Sequence, residues 1–229
     1  MKLLALDAST EFLSLAVRDG KNLYTHDQHA GQAASQLILP QIQILLKKAK
    51  LELSDLDGIA FGAGPGSFTG VRVACGVAQG LGFGADIPVV GVNVLMALAQ
   101  ASGADRVVVA TDARMGEVYH AAYERSNHDW IEVHAAGVYK PDAVPTIEGV
   151  GWTGVGTAWK VYDDILSQQY HGNVVSKLPE MTPAAEAIMV LATPVFEAGI
   201  ARPANEARPV YIRNRVALTS KEREQGLRL

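Results

Sequence analysis

Two aspartates occupy equivalent places in this 229-residue chain. Asp7 ends the apolar run 3–6 and is followed by Ala8, Ser9 and Thr10, while Asp112 ends the run 106–111 and is followed by Ala113, Arg114 and Met115. From the ends of two facing strands, such carboxylates could hold a metal-bound phosphate between them. The small residues after Asp7 leave room for a phosphate near the backbone. Arg114 and Met115 crowd the second position, although Arg114 could meet a phosphate as a cation. The competing role is structural, because an aspartate at a strand end caps the following turn through its own side chain. Both roles stay open on these residues.

A second candidate is the glycine loop. Residues 61–72 read Phe-Gly-Ala-Gly-Pro-Gly-Ser-Phe-Thr-Gly-Val-Arg. Gly62, Gly64, Gly66 and Gly70 can take backbone angles that a β-carbon forbids, and Pro65 fixes one turn, so a strand should bend here into a helix capped by Ser67 or Thr69. The free N–H groups at that helix start would seat an anion or another stretch of backbone. A Walker loop is excluded because Val71 and Arg72, not Lys and Ser or Thr, follow Gly70; the dinucleotide pattern lacks its third glycine. The six histidines include no i, i+4 pair, Cys75 is the sole cysteine, and no metal site is expected.

The helix beyond the loop carries Gly76, Gly80 and Gly84 in one row and Ala74, Ala78 and Gly82 in another. Each interior glycine costs about 0.5–1 kcal/mol relative to alanine, so close packing must offset it. That packing is either within the chain or against another subunit. The second use would draw on Val73, Ala74, Gly76, Val77, Ala78, Gly80, Leu81 and Gly84, with Leu37 and Leu45 of the preceding helix.

The elements that must position these residues follow from periodicity. Strands are expected at 3–7, 12–18 and 22–26, with a hairpin signal at Asp19-Gly20. A helix is expected over 34–49, kinked at Pro40 or regular only from there. Next come a strand at 58–62, a helix at 69–84, a strand at 89–92 and a helix to about 102. The second half repeats the pattern, with strands at 106–111, 117–124, 130–137, 149–155 and 173–176, a helix at 157–168 and a closing helix at 183–199. Two facing α/β half-domains are the simplest architecture, 1–104 and 105–216, followed by a polar tail at 217–229.

Bulk composition narrows the function. The net charge is -4, against nucleic-acid binding through a broadly basic surface. Residues 202–229 nevertheless hold seven Lys or Arg against three acidic residues, leaving 13 against 21 elsewhere. The absence of a signal-peptide pattern and of cysteine pairs fits the cytoplasm. The uncharged stretch 87–104 is interrupted by Pro88, Gly91, Asn93 and Gly103 and reads as core, with no membrane role.

Four segments taken together, 4–10, 64–72, 112–119 and 208–213, resemble the TsaB (YeaZ) family over the full length. The resemblance implies tandem ribonuclease-H-like halves of the actin-like ATPase (ASKHA) type, with mixed sheets flanked by helices. It implies a scaffold that binds and stabilises the catalytic paralogue TsaD, which makes threonylcarbamoyladenosine in ANN-decoding tRNAs. It further implies the ATPase TsaE as a partner, a homodimer without TsaD, tRNA contact only through the complex, and ATP or ADP with Mg entering at that level rather than as a tightly bound cofactor. The paralogue's motif Gly-Val-Asn-His-x-x-x-His corresponds here to residues 91–98, with Val94 and Leu98 at the metal-binding positions. The older glycoprotease label is disfavoured for the same reason. Ala34 stands where relatives often place a histidine. The alternative function is an ATP-hydrolysing or kinase-like enzyme using Asp7 and Asp112.

Overall fold

The computed structural model describes residues 1–127 and 129–213, so the tail at 217–229 lies outside the described residues. The first half opens with β1 (Lys2–Asp7), β2 (Phe12–Asp19) and β3 (Asn22–His29), then α1 (Ala34–Ala49), β4 (Gly58–Gly64), α2 (Phe68–Ala85), β5 (Val89–Asn93) and α3 (Val94–Ser102). The second has β6 (Arg106–Arg114), β7 (Glu117–Ser126), β8 (Asp129–Tyr139), β9 (Trp152–Val155), α4 (Ala158–Val161), α5 (Asp163–Gln169), β10 (Val174–Leu178) and α6 (Ala185–Glu197). The sheets run β3-β2-β1-β4-β5 and β8-β7-β6-β9-β10, one order used twice. In each, the first three strands pair antiparallel and the last two join in parallel. The tandem α/β architecture is therefore present.

Strand alternation fills both faces of each sheet. Leu4, Leu6, Leu13, Leu15 and Val17 pack under α1 and α2, while Leu3, Ala5 and Ala16 face α6. In the second sheet Val108 and Ala110 face Trp159 and Leu166 of α4 and α5, while Val107, Val109 and Tyr123 face Leu95 and Leu98 of α3. Sequence order would place α6 in the second half, but its core contacts are with the first sheet. Ile188, Met189 and Phe196 pack there, and the Ala185 N–H donates to Ser14 Oγ at 2.7 Å. The helix that ends the first half, α3, conversely covers the second sheet. Each half thus lends a helix to the other.

Two local expectations change. Helix α1 starts at Ala34 with Pro40 inside it, which excludes a helix that begins only near Pro40; Pro40 is exposed, so water can reach the carbonyl left without a partner one turn back. The helix expected over 157–168 is divided at Tyr162, whose φ of -125° and ψ of 33° leave the helical region.

Candidate functional site

The Asp7 carboxyl turns back on its own chain. Its Oδ2 accepts hydrogen bonds from the Ser9 N–H at 3.0 Å and the Ser9 hydroxyl at 2.8 Å, and the residue is fully buried. Thr10 Oγ1 in turn accepts from the Phe12 N–H at 3.1 Å. Asp112 makes the same turn in the second half, its Oδ1 accepting from the Arg114 N–H at 2.9 Å. Both aspartates therefore serve the turn-capping role. Burial without a countercharge pushes the Asp7 carboxyl up to about 6, the two Ser9 hydrogen bonds offsetting only part of that.

The glycine loop is occupied by backbone. A β-carbon on Gly70 would stand 1.8 Å from the Ala8 carbonyl oxygen, and one on Gly66 would stand 2.5 Å from that of Ser9. The Ser67 N–H donates to the Ser9 carbonyl at 2.7 Å, and Ser67 Oγ caps α2 by accepting from the Gly70 N–H at 3.4 Å. Thr69 is exposed and does not cap. Gly64, with φ 110°, lies under the Val210 carbonyl, and the Val210 N–H donates to the Ala63 carbonyl at 2.7 Å. The chain's own 8–9 and 210 segments pack against the loop, and the Ser9 carbonyl takes the Ser67 N–H.

Arg114 is engaged as well. It lies 3.3 Å from Asp112 Oδ2 and 3.8 Å from Glu11 Oε1, an exposed network across the mouth between the halves. Asn93 caps α3, its Oδ1 accepting from the Leu95 N–H at 2.8 Å, and Val94 and Leu98, whose side chains offer no metal ligand, are buried. Among the described residues no group of three or more His, Cys, Asp or Glu side chains is placed to hold a metal ion.

The two helical rows of α2 separate cleanly. Ala74, Ala78 and Gly82 face inward, and Gly82 approaches Ala204 and Val89 so closely that a β-carbon would stand 2.9 Å from each. Gly76, Gly80 and Gly84 are exposed with nothing within 4 Å of a β-carbon. Ala74, Ala78 and Leu45 therefore belong to the protein's own core and are not available to a partner. Val73, Val77, Leu81 and Leu37 are half-buried at the rim of that core. Beside them Leu39 of α1 is 46% exposed and Phe83 of α2 is 78% exposed, neither of which the sequence pattern singled out. A groove of about 770 Å³ runs along α1, lined by Leu39, Gln43, Leu46, Leu53 and Leu81.

The family model TsaD: tRNA N6-adenosine threonylcarbamoyltransferase matches residues 25–220. The tRNA threonylcarbamoyladenosine biosynthesis protein TsaB of Escherichia coli is 39% identical over 226 residues, 95% of this chain and 96% of that one. Its namesake in Haemophilus influenzae is 36% identical over 229 residues, 94% of this chain and 95% of that one. The solved structure of YeaZ from Pseudomonas aeruginosa superimposes with a TM-score of 0.85 at 38% identity, covering 92% of this chain and 99% of the other.

Proposed function

We infer, from the premise that the chain belongs to the TsaB (YeaZ) family, that it serves the biosynthesis of threonylcarbamoyladenosine in tRNA as the non-catalytic partner of TsaD. The full-length identity to curated TsaB proteins carries the pathway assignment. Support for the non-catalytic role comes from the site. The glycine loop is packed against the backbone of residues 8–9 and 210, Asp7 is sealed away from solvent, Arg114 pairs with Asp112, and valine and leucine stand at the paralogue's metal-binding positions. An ATP-hydrolysing or kinase-like role for Asp7 and Asp112 is not favoured.

The docking face we assign to TsaD is the exposed side of α1 and α2, with Leu37, Leu39, Val73, Val77 and Leu81 around the ridge of Gly76, Gly80 and Gly84. A helix laid on that ridge could approach the α2 backbone without side-chain obstruction, a contact closer than about 8–10 Å between axes. The same face would join two copies when TsaD is absent. ATP or ADP with Mg enters through TsaD and TsaE, and tRNA is met only by the assembled complex, in the cytoplasm. No helix among the described residues is long and apolar enough to cross a membrane. Reconstitution with TsaD and TsaE tests the role: modified tRNA should form only when this chain is added, while the chain alone should show no ATP turnover. Modification that proceeds equally well without it would overturn the reading.

A further inference from the structure

Residues 208–213 leave the first half, cross the glycine loop and end on the second half. Val210 is held by the hydrogen bond from its N–H to Ala63, at the end of β4. Tyr211 comes next, its hydroxyl accepting from Arg72 Nε at 2.6 Å and its ring lying 6.1 Å from that of Phe68. The Arg72 guanidinium lies over the Phe68 ring, 3.6 Å from its centre. At the far end Arg213 pairs with Glu117 at 2.5 Å and donates to the Arg114 carbonyl at 3.4 Å. The Arg213 side chain is only 11% exposed. The crevice between loop, strap and Tyr119 retains about 30 Å³, room for little more than a water.

We propose that residues 208–213 act as a clasp between the halves, a single cooperative strap that holds them at fixed closure and fills the crevice where they meet. Its three attachments use different chemistry, a backbone bond, an aromatic-cation cluster and a charged pair, and the outer two lie on opposite halves. Holding both ends restricts any hinge at the junction of α3 and β6, because opening the crevice breaks the Arg213 pair or lifts Val210. The clasp thereby converts what would be a ligand crevice between two movable halves into a packed seam.

Hydrogen exchange on the full chain tests this, because a cooperative strap transmits loss at one end to the other. Glu117→Gln keeps the shape and removes the charge facing Arg213; we expect the Val210 amide, on the other half, to exchange roughly tenfold faster. Tyr211→Ala removes the middle attachment, and the Arg114 amide should accelerate by a similar factor. Amides of the central strands β1 and β6 serve as the control for folding; if Tyr211→Ala disturbs them, Glu117→Gln alone decides. Acceleration confined to the neighbourhood of each substitution, or none at all, would show two independent contacts and overturn the clasp.

Discussion

Oδ1 of Asp7 lies against the α-carbon of Gly62, where a β-carbon would stand only 1.9 Å from it. That oxygen is buried without a hydrogen-bond partner, while Oδ2 takes both bonds from Ser9. The glycine at 62 is thus required by the aspartate at 7, one strand away in the parallel pair of β1 and β4. The Asp7 carboxyl is thereby enclosed by its own sheet.

The consequence is a pH dependence of known sign. Burial raises the Asp7 carboxyl from 3.8 to about 6 in the folded chain, so the native state binds the proton more tightly than the unfolded state. Stability from this residue is greatest below the unfolded value and falls as pH rises through the interval, by up to about 3 kcal/mol once Asp7 is charged. Chemical denaturation between pH 4 and pH 7.5 should show this decline, and Asp7→Asn should remove that component from the profile. An unchanged profile in the variant would mean that Asp7 ionises normally.

Two glycines in one helix should respond oppositely to alanine. At Gly70 the new methyl would meet the Ala8 carbonyl at 1.8 Å, and backbone on both sides must shift. We expect Gly70→Ala to destabilise by about 3 kcal/mol. At Gly80 the methyl meets nothing within 4 Å, so Gly80→Ala should stabilise by about 0.5–1 kcal/mol through helix propensity. Thermal or urea unfolding of the two variants gives both signs directly.

Much of this contrast was hidden in the sequence. Strand alternation and the repeat of pattern between halves revealed the tandem sheets, because burial on a sheet face imposes a period that residues display. The turns at Asp7 and Asp112 were legible as one of two roles, since an aspartate followed by small or turn-forming residues carries the local geometry itself. The orientation of α2 was not. Its outer row is all glycine and its inner row alanine and glycine, residues too small for hydropathy to say that Ala74 and Ala78 face the core while Gly80 faces out. Nor could it assign α3 and α6 to their sheets, because an apolar face specifies burial and not the surface that provides it. The strap at 208–213 has no period, and its meaning depends on Ala63, Arg72 and Glu117, all remote in sequence.

The buried polar cluster of the second half supplies another test. The Tyr170 hydroxyl donates to the Pro145 carbonyl at 2.8 Å and accepts from His120 Nε2 at 2.7 Å, which assigns the His120 proton to Nε2. Burial, reinforced by His134, pushes His120 down to about 3, so the ring is neutral in the folded chain at ordinary pH. Tyr170→Phe leaves the His120 N–H and the Pro145 carbonyl without this partner. We expect a loss of about 1–3 kcal/mol by urea denaturation, with the fold retained because the aromatic packing on Trp159 persists. A loss below that range would mean that water replaces the hydroxyl.

The ridge of α2 makes the sharpest distinction between a structural and an associative role for its glycines. Gly80 is exposed and its substitution has space, so neither alanine nor leucine there disturbs the core of the isolated chain. If the ridge is a docking face, side-chain bulk on it separates the helices that would otherwise touch, and affinity falls with size. Gly80→Leu should then weaken association with TsaD by at least about tenfold, roughly 1.4 kcal/mol, while leaving the unfolding midpoint at or above that of the parent. Leu39→Glu, on the neighbouring exposed position of α1, should weaken the same complex by placing a charge against an apolar partner. Titration calorimetry against purified TsaD reads both effects, and a Gly80→Leu chain that binds as tightly as the parent would remove α2 from the interface.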